Sequence, residues 1–149
     1  MELSNVIDHI RNHSYMSGVE RNTLRVKETA EVFTPTLLVQ RILNQLDPTT
    51  FIDTSKTVLD NSCGDGQFLG EVLIRKIENG STFEQALSTI YGVDIMPDNV
   101  ELCRERLLCG RNDLRHIVEQ NIVCADSLEY NYLFGNPDTF GPNDLFEIG

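Results

Sequence analysis

The spacing of apolar residues changes along the chain from a helical period to short continuous runs. Val6, Ile7 and Ile10 predict a short helix near the N-terminus. Thr34 and Pro35 suit the start of a second helix, because threonine can cap a helix and proline fits its first turn. The broad apolar stripe of this helix consists of Leu38, Val39, Ile42, Leu43 and Leu46.

From residue 57 onward, the pattern predicts buried strands that alternate with amphipathic helices. Short apolar runs predict strands over residues 57–60, 90–94 and 122–125. Helical spacing predicts helices over residues 67–78, 81–87 and 97–108. We expect Ser81 and Glu84 to form the capping box of the second of these helices, and Pro97 to open the third. Alternating strands and helices indicate an α/β fold with a parallel sheet.

The composition is that of one globular domain of 149 residues, with 40% hydrophobic and 23% charged residues. No apolar run is long enough to span a bilayer and no signal-peptide pattern begins the chain, so we expect a soluble, cytoplasmic protein. The four cysteines have neither CxxC pairing nor histidines at ligand spacing, so we expect reduced thiols and no metal site.

The chain is strongly acidic, with 12 Lys and Arg against 23 Asp and Glu and a net charge of -11. Binding to nucleic acid draws heavily on cationic contacts to phosphate. We therefore expect that this chain does not hold DNA by itself.

A glycine turn joins the strand at residues 57–60 to the helix that follows it. Gly64 and Gly66 allow a sharp turn and a close approach of a ligand to the backbone, and the new helix presents free amides. The spacing is not that of a phosphate-binding loop, and Leu69 stands where the GxGxxG pattern has its third glycine. The turn thus predicts a site for a nucleoside or a carboxylate, with a purely structural tight turn as the alternative.

Three acidic residues end the predicted strands. Asp60, Asp94 and Asp126 each follow or close a strand, and Ser127 comes next to the last of them. Each alone could be a solvated aspartate at a strand end. Because ligands bind beyond the carboxyl ends of parallel strands, the three together predict one binding site, with Asp94 placed to accept from ribose hydroxyls.

These segments resemble the S-adenosylmethionine (SAM)-dependent DNA methyltransferases that modify the exocyclic amine of adenine. The resemblance covers roughly residues 31–140. The similar segments are EVFTP at 31–35, DNSCGDGQFL at 60–69, YGVDI at 91–95 and ADSL at 125–128, with Asn61 in place of the family's usual proline. It implies a Rossmann-like methyltransferase fold over residues 31–149, shortened at its C-terminus, after an N-terminal helical extension at residues 1–30.

The resemblance implies that SAM is the cofactor and assigns its binding residues one by one. These are Phe33, Thr34, Pro35, Asp60, Ser62, Cys63, Gly64, Gly66, Phe68, Asp94, Ile95, Asp126 and Ser127. Thr34 and Pro35 would line the methionine end, Phe68 would pack beneath the cofactor, and Ile95 would flank the adenine ring. Asp126 and Ser127 would address the polar edge of the adenine.

The family's catalytic motif follows the fourth strand and consists of Asn or Asp, two prolines and an aromatic residue. The similar stretch here contains Asn136, Pro137, Asp138, Thr139 and Phe140. By the resemblance, Asn136 and a backbone carbonyl accept hydrogens from the target amine, while an aromatic ring stacks on the flipped base. Thr139 occupies the aromatic position and Phe140 comes one residue late. An Asn-Pro-Asp turn without a catalytic role is the alternative.

Few residues follow Asn136, whereas a further strand-helix-strand unit needs about 30. We therefore expect the family's later strands and its DNA-reading domain to be absent. In the family's sheet order, Tyr132, Leu133 and Phe134 would form an exposed fourth strand, and such an edge usually needs cover. We expect a second copy of the chain or a partner subunit along this edge.

Three functions are compatible with these features. The first is an adenine-type DNA methyltransferase that acts on DNA with help from a partner chain. The second is a catalytically weak or inactive SAM-binding protein that regulates or antagonises a DNA modification system, which the missing DNA-reading part and the acidic charge favour. The third is a SAM-binding enzyme that acts on a small molecule or consumes SAM without methylating DNA.

Overall fold

The computed structural model describes residues 2–12, 36–135 and 145–147. The helices are α1 (Leu3–Arg11), α2 (Thr36–Leu43), α3 (Thr49–Ile52), α4 (Gln67–Glu78), α5 (Phe83–Ser88), α6 (Pro97–Leu108) and α7 (Arg115–Asn121), with a 3-10 turn at Asn112–Leu114. The strands are β1 (Thr57–Asp60), β2 (Ile90–Asp94), β3 (Ile122–Cys124) and β4 (Leu145–Glu147). None of the helices in these ranges is long and apolar enough to cross a membrane.

The four strands form one parallel sheet in the order β3-β2-β1-β4. Val58 pairs with Ile90 on one side and with Phe146 on the other, and Val93 of β2 pairs with Val123 of β3. The α/β fold with a parallel sheet is therefore confirmed, and β1, α4, β2 and α6 have the predicted bounds.

Alternate strand residues point to opposite faces of the sheet. Val58, Ile90 and Ile122 belong to the main core, which the helices cover. Leu59 and Tyr91 face the other side and form a second, smaller cluster with Phe134. Both faces are covered in this way, as a parallel sheet requires.

Helix α4 crosses the main core and sets its position. Leu69, Val72 and Leu73 are fully buried, at the spacing of one helical face. Each such side chain contributes roughly 1.5–3 kcal/mol through removal from water. On another side of α4, Gly70 admits helix α1, since a Cβ there would come within 2.8 Å of the Ile10 side chain.

The predicted capping box of α5 is wrong by one residue. The cap is Thr82 with Gln85, not Ser81 with Glu84. The reason is that the Ser81 N–H donates to the carbonyl of Lys76 across Gly80, in the hydrogen-bonding pattern that closes a helix with a left-handed glycine. Ser81 thus ends α4, and the next helix starts only after it.

The predicted fourth strand at Tyr132, Leu133 and Phe134 is also wrong. Tyr132 and Phe134 have positive φ angles of 59° and 47°, so this stretch turns rather than extends. The Phe134 ring packs on Tyr91 with 4.8 Å between ring centroids, and the Tyr130 hydroxyl accepts from the Phe134 N–H. The aromatic residues therefore cover the second face of the sheet, which removes the basis for a partner chain along a strand there.

The strand beside β1 is instead β4, at Leu145–Glu147. Residues 136–140 accordingly precede this strand along the chain, whereas the predicted catalytic stretch was expected to follow it. The sequence also predicted neither α3 nor α7, two short helices that close the connections before β1 and β3.

Candidate functional site

The carboxyl ends of β1 and β2 bring two predicted acidic residues to one edge of the sheet. Asp60 closes β1 and Asp94 closes β2. The chain continues from β3 to the same edge, where the Ala125 N–H donates to the Asp94 carbonyl at 3.0 Å. Asp126 follows directly, so the three aspartates lie at neighbouring strand ends as expected.

Asp60 is buried and organises the start of the glycine turn. Its Oδ1 accepts from the Ser62 N–H at 3.0 Å. The next residue, Cys63, donates its N–H to the Val93 carbonyl at 3.0 Å and accepts from the Gly66 N–H at 2.9 Å. The chain's own hydrogen bonds thus fix the turn to both β1 and β2.

The two glycines of the turn have different surroundings. Both have positive φ, 53° at Gly64 and 92° at Gly66. A Cβ on Gly66 would lie 3.0 Å from the Cys103 Sγ of α6, whereas a Cβ on Gly64 would meet no atom of the described residues within 4 Å. Gly66 therefore serves the close packing of the turn on α6, and Gly64 presents the open side of the turn.

Asp94 connects the turn to the start of α6. Its Oδ1 accepts from the Gly64 N–H at 3.2 Å, and its Oδ2 accepts from the Met96 N–H at 3.0 Å and from Asn99 Nδ2 at 3.1 Å. A carboxylate offers about four acceptor positions. Donors from the described residues use three of these positions, and within that part of the chain one position on Oδ1 is left for a hydroxyl donor of a ligand.

Beyond β3, a tight loop carries the remaining predicted residues of this edge. Asp126 Oδ1 accepts from the Leu128 N–H at 2.9 Å, and the Ser127 carbonyl accepts from the Tyr132 hydroxyl at 2.6 Å. Leu128 is 93% exposed and Ile95 is 61% exposed. Leu128 belongs to the ADSL segment at 125–128 but is not among the cofactor residues predicted from the sequence.

The thiol of Cys63 is held in its neutral form. Two causes raise the pKa of Cys63 well above its usual value: the larger is a hydrogen bond with Cys103, and the second is burial of the thiol. Burial likewise raises the pKa of Cys109 to about 12. Neither thiol is therefore a nucleophile at neutral pH. No cluster of three or more His, Cys, Asp or Glu suited to a metal ion occurs in residues 2–12, 36–135 and 145–147.

Two other predicted cofactor residues differ in exposure. Phe68 is half-buried and packs against the main core, so at least part of its ring serves the fold. Ser62 is exposed, with its N–H bonded to Asp60.

Three residues that the sequence did not single out form a chain of hydrogen bonds next to the glycine turn: Arg106, Gln67 and Thr36. Arg106 of α6 donates to Gln67 Oε1 at 2.8 Å, and Gln67 Nε2 donates to the Thr36 hydroxyl at 2.8 Å. Arg106 is 1% exposed. A buried charge almost always has partners, but the sequence pattern gives no sign that this arginine of α6 points inward.

Several predicted site residues lie outside the described residues. On the cofactor side these are Phe33, Thr34 and Pro35, and on the catalytic side Asn136, Pro137, Asp138 and Phe140. Their described neighbours lie at different places. Thr36 contacts the first turn of α4, whereas the Phe134 carbonyl accepts from Gln120 just before β3, at the amino-terminal end of the strands.

A cavity of about 480 Å³ lies elsewhere, between α1, α2 and α4. Its polar lining includes Glu71, whose Oε1 accepts from both Arg11 Nη2 and Gln40 Nε2. None of the predicted cofactor residues that the structure describes lines it.

The family model described as N-6 DNA methylase matches residues 16–138, which is more than half of the chain. The match includes the glycine turn, all three strand-end aspartates and the stretch up to Asp138. No curated protein matches the chain.

Proposed function

Because the chain belongs to the N-6 DNA methylase family, we propose that it binds SAM at the carboxyl ends of β1, β2 and β3. It then serves in methyl transfer from SAM to the exocyclic amine of adenine in DNA. The observation that carries the proposal is Asp94, which joins the glycine turn to α6 and, among the described residues, keeps one acceptor position for a ribose hydroxyl.

The residues around these strand ends fit the parts of SAM. The open side of Gly64 allows the backbone to approach the amino-acid part of the cofactor. Ile95 offers an exposed apolar surface to one face of the adenine, and Asp126 has a second carboxylate oxygen that can accept from the adenine amino group. When bound, SAM supplies an electrophilic methyl group on a sulfonium.

Thr36 supports a cofactor role for the residues just before it. Its hydroxyl accepts from Gln67 in the first turn of α4, directly after the glycine turn. The first residue of α2 therefore lies next to the turn, and Phe33, Thr34 and Pro35 directly precede it in the sequence. We propose that these residues close the methionine end of the SAM site.

The catalytic assignment of Asn136, Pro137, Asp138 and Phe140 stays a prediction. In that role, the Asn136 side chain and a backbone carbonyl accept the hydrogens of the adenine amine while its nitrogen takes the methyl group. Two features do not support this catalytic assignment. Phe134, just before the stretch, lies at the amino-terminal end of the strands, opposite the proposed SAM site, and β4 follows the stretch instead of preceding it. Loss of methyl transfer in Asn136→Ala at unchanged SAM affinity would support the role, and unchanged transfer would remove Asn136 from the site.

DNA recognition requires more than this chain in the proposed function. With 23 acidic and 12 basic residues, the chain has no excess of positive charge to offset the repulsion of phosphates. We propose that a partner chain supplies the DNA contacts. The same charge favours the second candidate, a SAM-binding regulator or antagonist of a DNA modification system that does not itself methylate.

Titration calorimetry with SAM tests the cofactor site. Asp94→Asn replaces one carboxylate oxygen by an amide donor, and we expect SAM affinity to fall roughly tenfold or more through loss of charge-assisted acceptance. The matched control is Asp113→Asn, which alters an exposed aspartate paired with Arg111 and should leave affinity unchanged. No measurable binding by the unaltered chain would rule out the proposed cofactor.

Methyl transfer separates the two candidate functions. Labelled SAM is incubated with adenine-containing duplex DNA in two samples. The first contains the chain alone, and the second contains the chain together with the partner chain that we propose supplies the DNA contacts. Transfer to adenine in either sample supports the enzyme. SAM binding without transfer in both samples supports the regulator.

A further inference from the structure

One buried guanidinium connects three segments of the chain behind the glycine turn. Arg106 Nε and Nη2 donate to the Ile10 carbonyl at 3.2 and 3.1 Å. Nη2 also donates to Gln67 Oε1 at 2.8 Å, and Nη1 lies 3.4 Å from Asp65 Oδ1. The end of α1, the glycine turn and the first residue of α4 therefore share one cation.

Gln67 extends this connection to the start of α2. Its side-chain oxygen accepts from Arg106, and its side-chain nitrogen donates to the Thr36 hydroxyl at 2.8 Å. The last turn of α1 and the first residue of α2 are thus both joined to the turn through the pair of Arg106 and Gln67.

Close packing reinforces the hydrogen bonds. A Cβ at Gly66 would lie 3.4 Å from Arg106 Cδ, and a Cβ at Gly70 would lie 2.8 Å from Ile10 Cγ2. Two further contacts hold the same turn of α1. His9 Nε2 lies 2.9 Å from the Glu105 carbonyl, and Arg11 pairs with the buried Glu71 at 2.7 Å.

Burial of the charge makes these contacts interdependent. A guanidinium that is 1% exposed cannot lose its partners without a large cost, because water does not replace them. If α1 detaches from the rest of the fold, Arg106 loses the Ile10 carbonyl, which accepts hydrogen bonds from two of its N–H groups. The side chain must then move toward water or toward other acceptors, which in the described part of the chain include Asp65 of the glycine turn and Gln67 of α4.

We propose that Arg106 and Gln67 are positioning residues of the cofactor site, and that through them the end of α1 and the start of α2 form one cooperative unit with the glycine turn. The inference rests on the proposed function in taking SAM as the ligand of that turn. Since coupling of two binding events is reciprocal, SAM binding stabilises the docking of α1, and docking of α1 strengthens SAM binding.

Hydrogen exchange of the ligand-free protein tests the unit directly. We expect Arg106→Lys to speed exchange roughly tenfold in the last turn of α1, at residues 10–12, in the Gly66 amide of the glycine turn and in the Gly70 amide at the start of α4. The matched control is Arg104→Lys, an arginine of the same helix that donates to the Ile122 carbonyl. It should speed exchange only near α7 and β3.

Faster exchange in α1 with unchanged exchange in the glycine turn would overturn the proposal. Faster exchange in the glycine turn with unchanged exchange in α1 would overturn it as well. If Arg106→Lys does not fold, Gln67→Leu decides the question. It keeps the buried arginine and removes its link to Thr36. We expect faster exchange in the glycine turn and at both joined helix ends, and a change confined to Gln67 itself would again overturn the unit.

The cofactor provides a second, separate measurement. SAM should slow exchange at residues 10–12 of the unaltered chain, and Arg106→Lys should weaken SAM affinity about tenfold while Arg104→Lys leaves it within about twofold. SAM binding without protection of α1 would overturn the coupling. Absence of SAM binding in the unaltered chain would refute the proposed function, and ligand-free exchange would still decide whether the unit exists.

Discussion

Gly64 and Gly66 lie two residues apart in one turn and have different tasks. Both have left-handed backbone angles, which cost an alanine roughly 1 kcal/mol. Among the described residues, a side chain lies in the space of a Cβ at Gly66 but not at Gly64; it is the Cys103 thiol, at 3.0 Å. At the residue scale, Gly66 therefore faces the core, whereas Gly64 faces the open side of the turn, where we propose that SAM binds.

Gly64→Ala and Gly66→Ala should separate the two tasks. We expect Gly64→Ala to lower the free energy of unfolding by about 1 kcal/mol and to lose most SAM affinity, because its methyl group enters the open side of the turn. Gly66→Ala should cost roughly 2–4 kcal/mol, because strain and crowding add. Chemical denaturation and calorimetry measure the two effects, and equal losses of stability in both variants would contradict the assignment.

The cysteines provide a second test at the residue scale. Cys124 is exposed, whereas Cys63, Cys103 and Cys109 are buried. The raised pKa values of Cys63 and Cys109 keep these two thiols neutral near pH 8. We expect iodoacetamide to label Cys124 alone in the folded chain by mass spectrometry, and all four thiols after denaturation. Early labelling of Cys63 would show that the turn opens.

Lys76 fastens α4 to the connection that leads into β1. The side chain is fully buried, and its Nζ donates to the Lys56 carbonyl at 2.6 Å. Burial lowers the pKa of Lys76 to about 8. At the scale of elements, a single amine holds the end of the central helix beside the first strand, and it does so with an N–H group that its neutral form retains.

The depressed pKa of Lys76 predicts stability that increases with pH. Between about pH 8 and 10.5, the unfolded chain binds more protons than the folded chain, so the free energy of unfolding rises with pH in this window. The gain is at most about 3 kcal/mol.

Urea denaturation at a series of pH values measures this dependence, and Lys76→Met is the control. The variant should lose this rising component between pH 8 and 10.5. An equal slope in the variant would mean that Lys76 is not its source.

At the scale of the whole molecule, the chain belongs to the N-6 DNA methylase family, yet its net charge is -11. Some of the basic residues are engaged within the fold, because Arg106 and Arg104 donate to the backbone carbonyls of Ile10 and Ile122. Long-range repulsion between such a chain and a duplex is weakened by salt but not reversed.

Fluorescence anisotropy with a labelled duplex tests this charge argument. We expect the chain alone to bind DNA more weakly than about 10⁻⁶ M at physiological salt, the tight end of ordinary non-specific binding. Tight binding that weakens steeply with added salt would contradict the argument, because it would require a cationic surface. Addition of a basic partner chain should raise the affinity for the duplex above that of the chain alone.

The sequence by itself determined the elements from β1 to α6 and the aspartates at their ends. Period and caps are local properties, and a strand that ends in Asp94 before Pro97 carries its own boundaries. The same local reasoning placed the capping box one residue early, because Ser81 was already used by the end of α4.

Only the tertiary structure decided which residues support the turn and which strand lies beside β1. The apolar residues near 132–134 suit a strand or a face-covering turn equally well, and packing of Phe134 on Tyr91 selects the turn. Arg106 looks like any helix surface arginine in the sequence, yet α1 folds over it and supplies a carbonyl acceptor 96 residues away along the chain. Contacts of such separation leave no local pattern, because each partner satisfies its own helix equally well without the other.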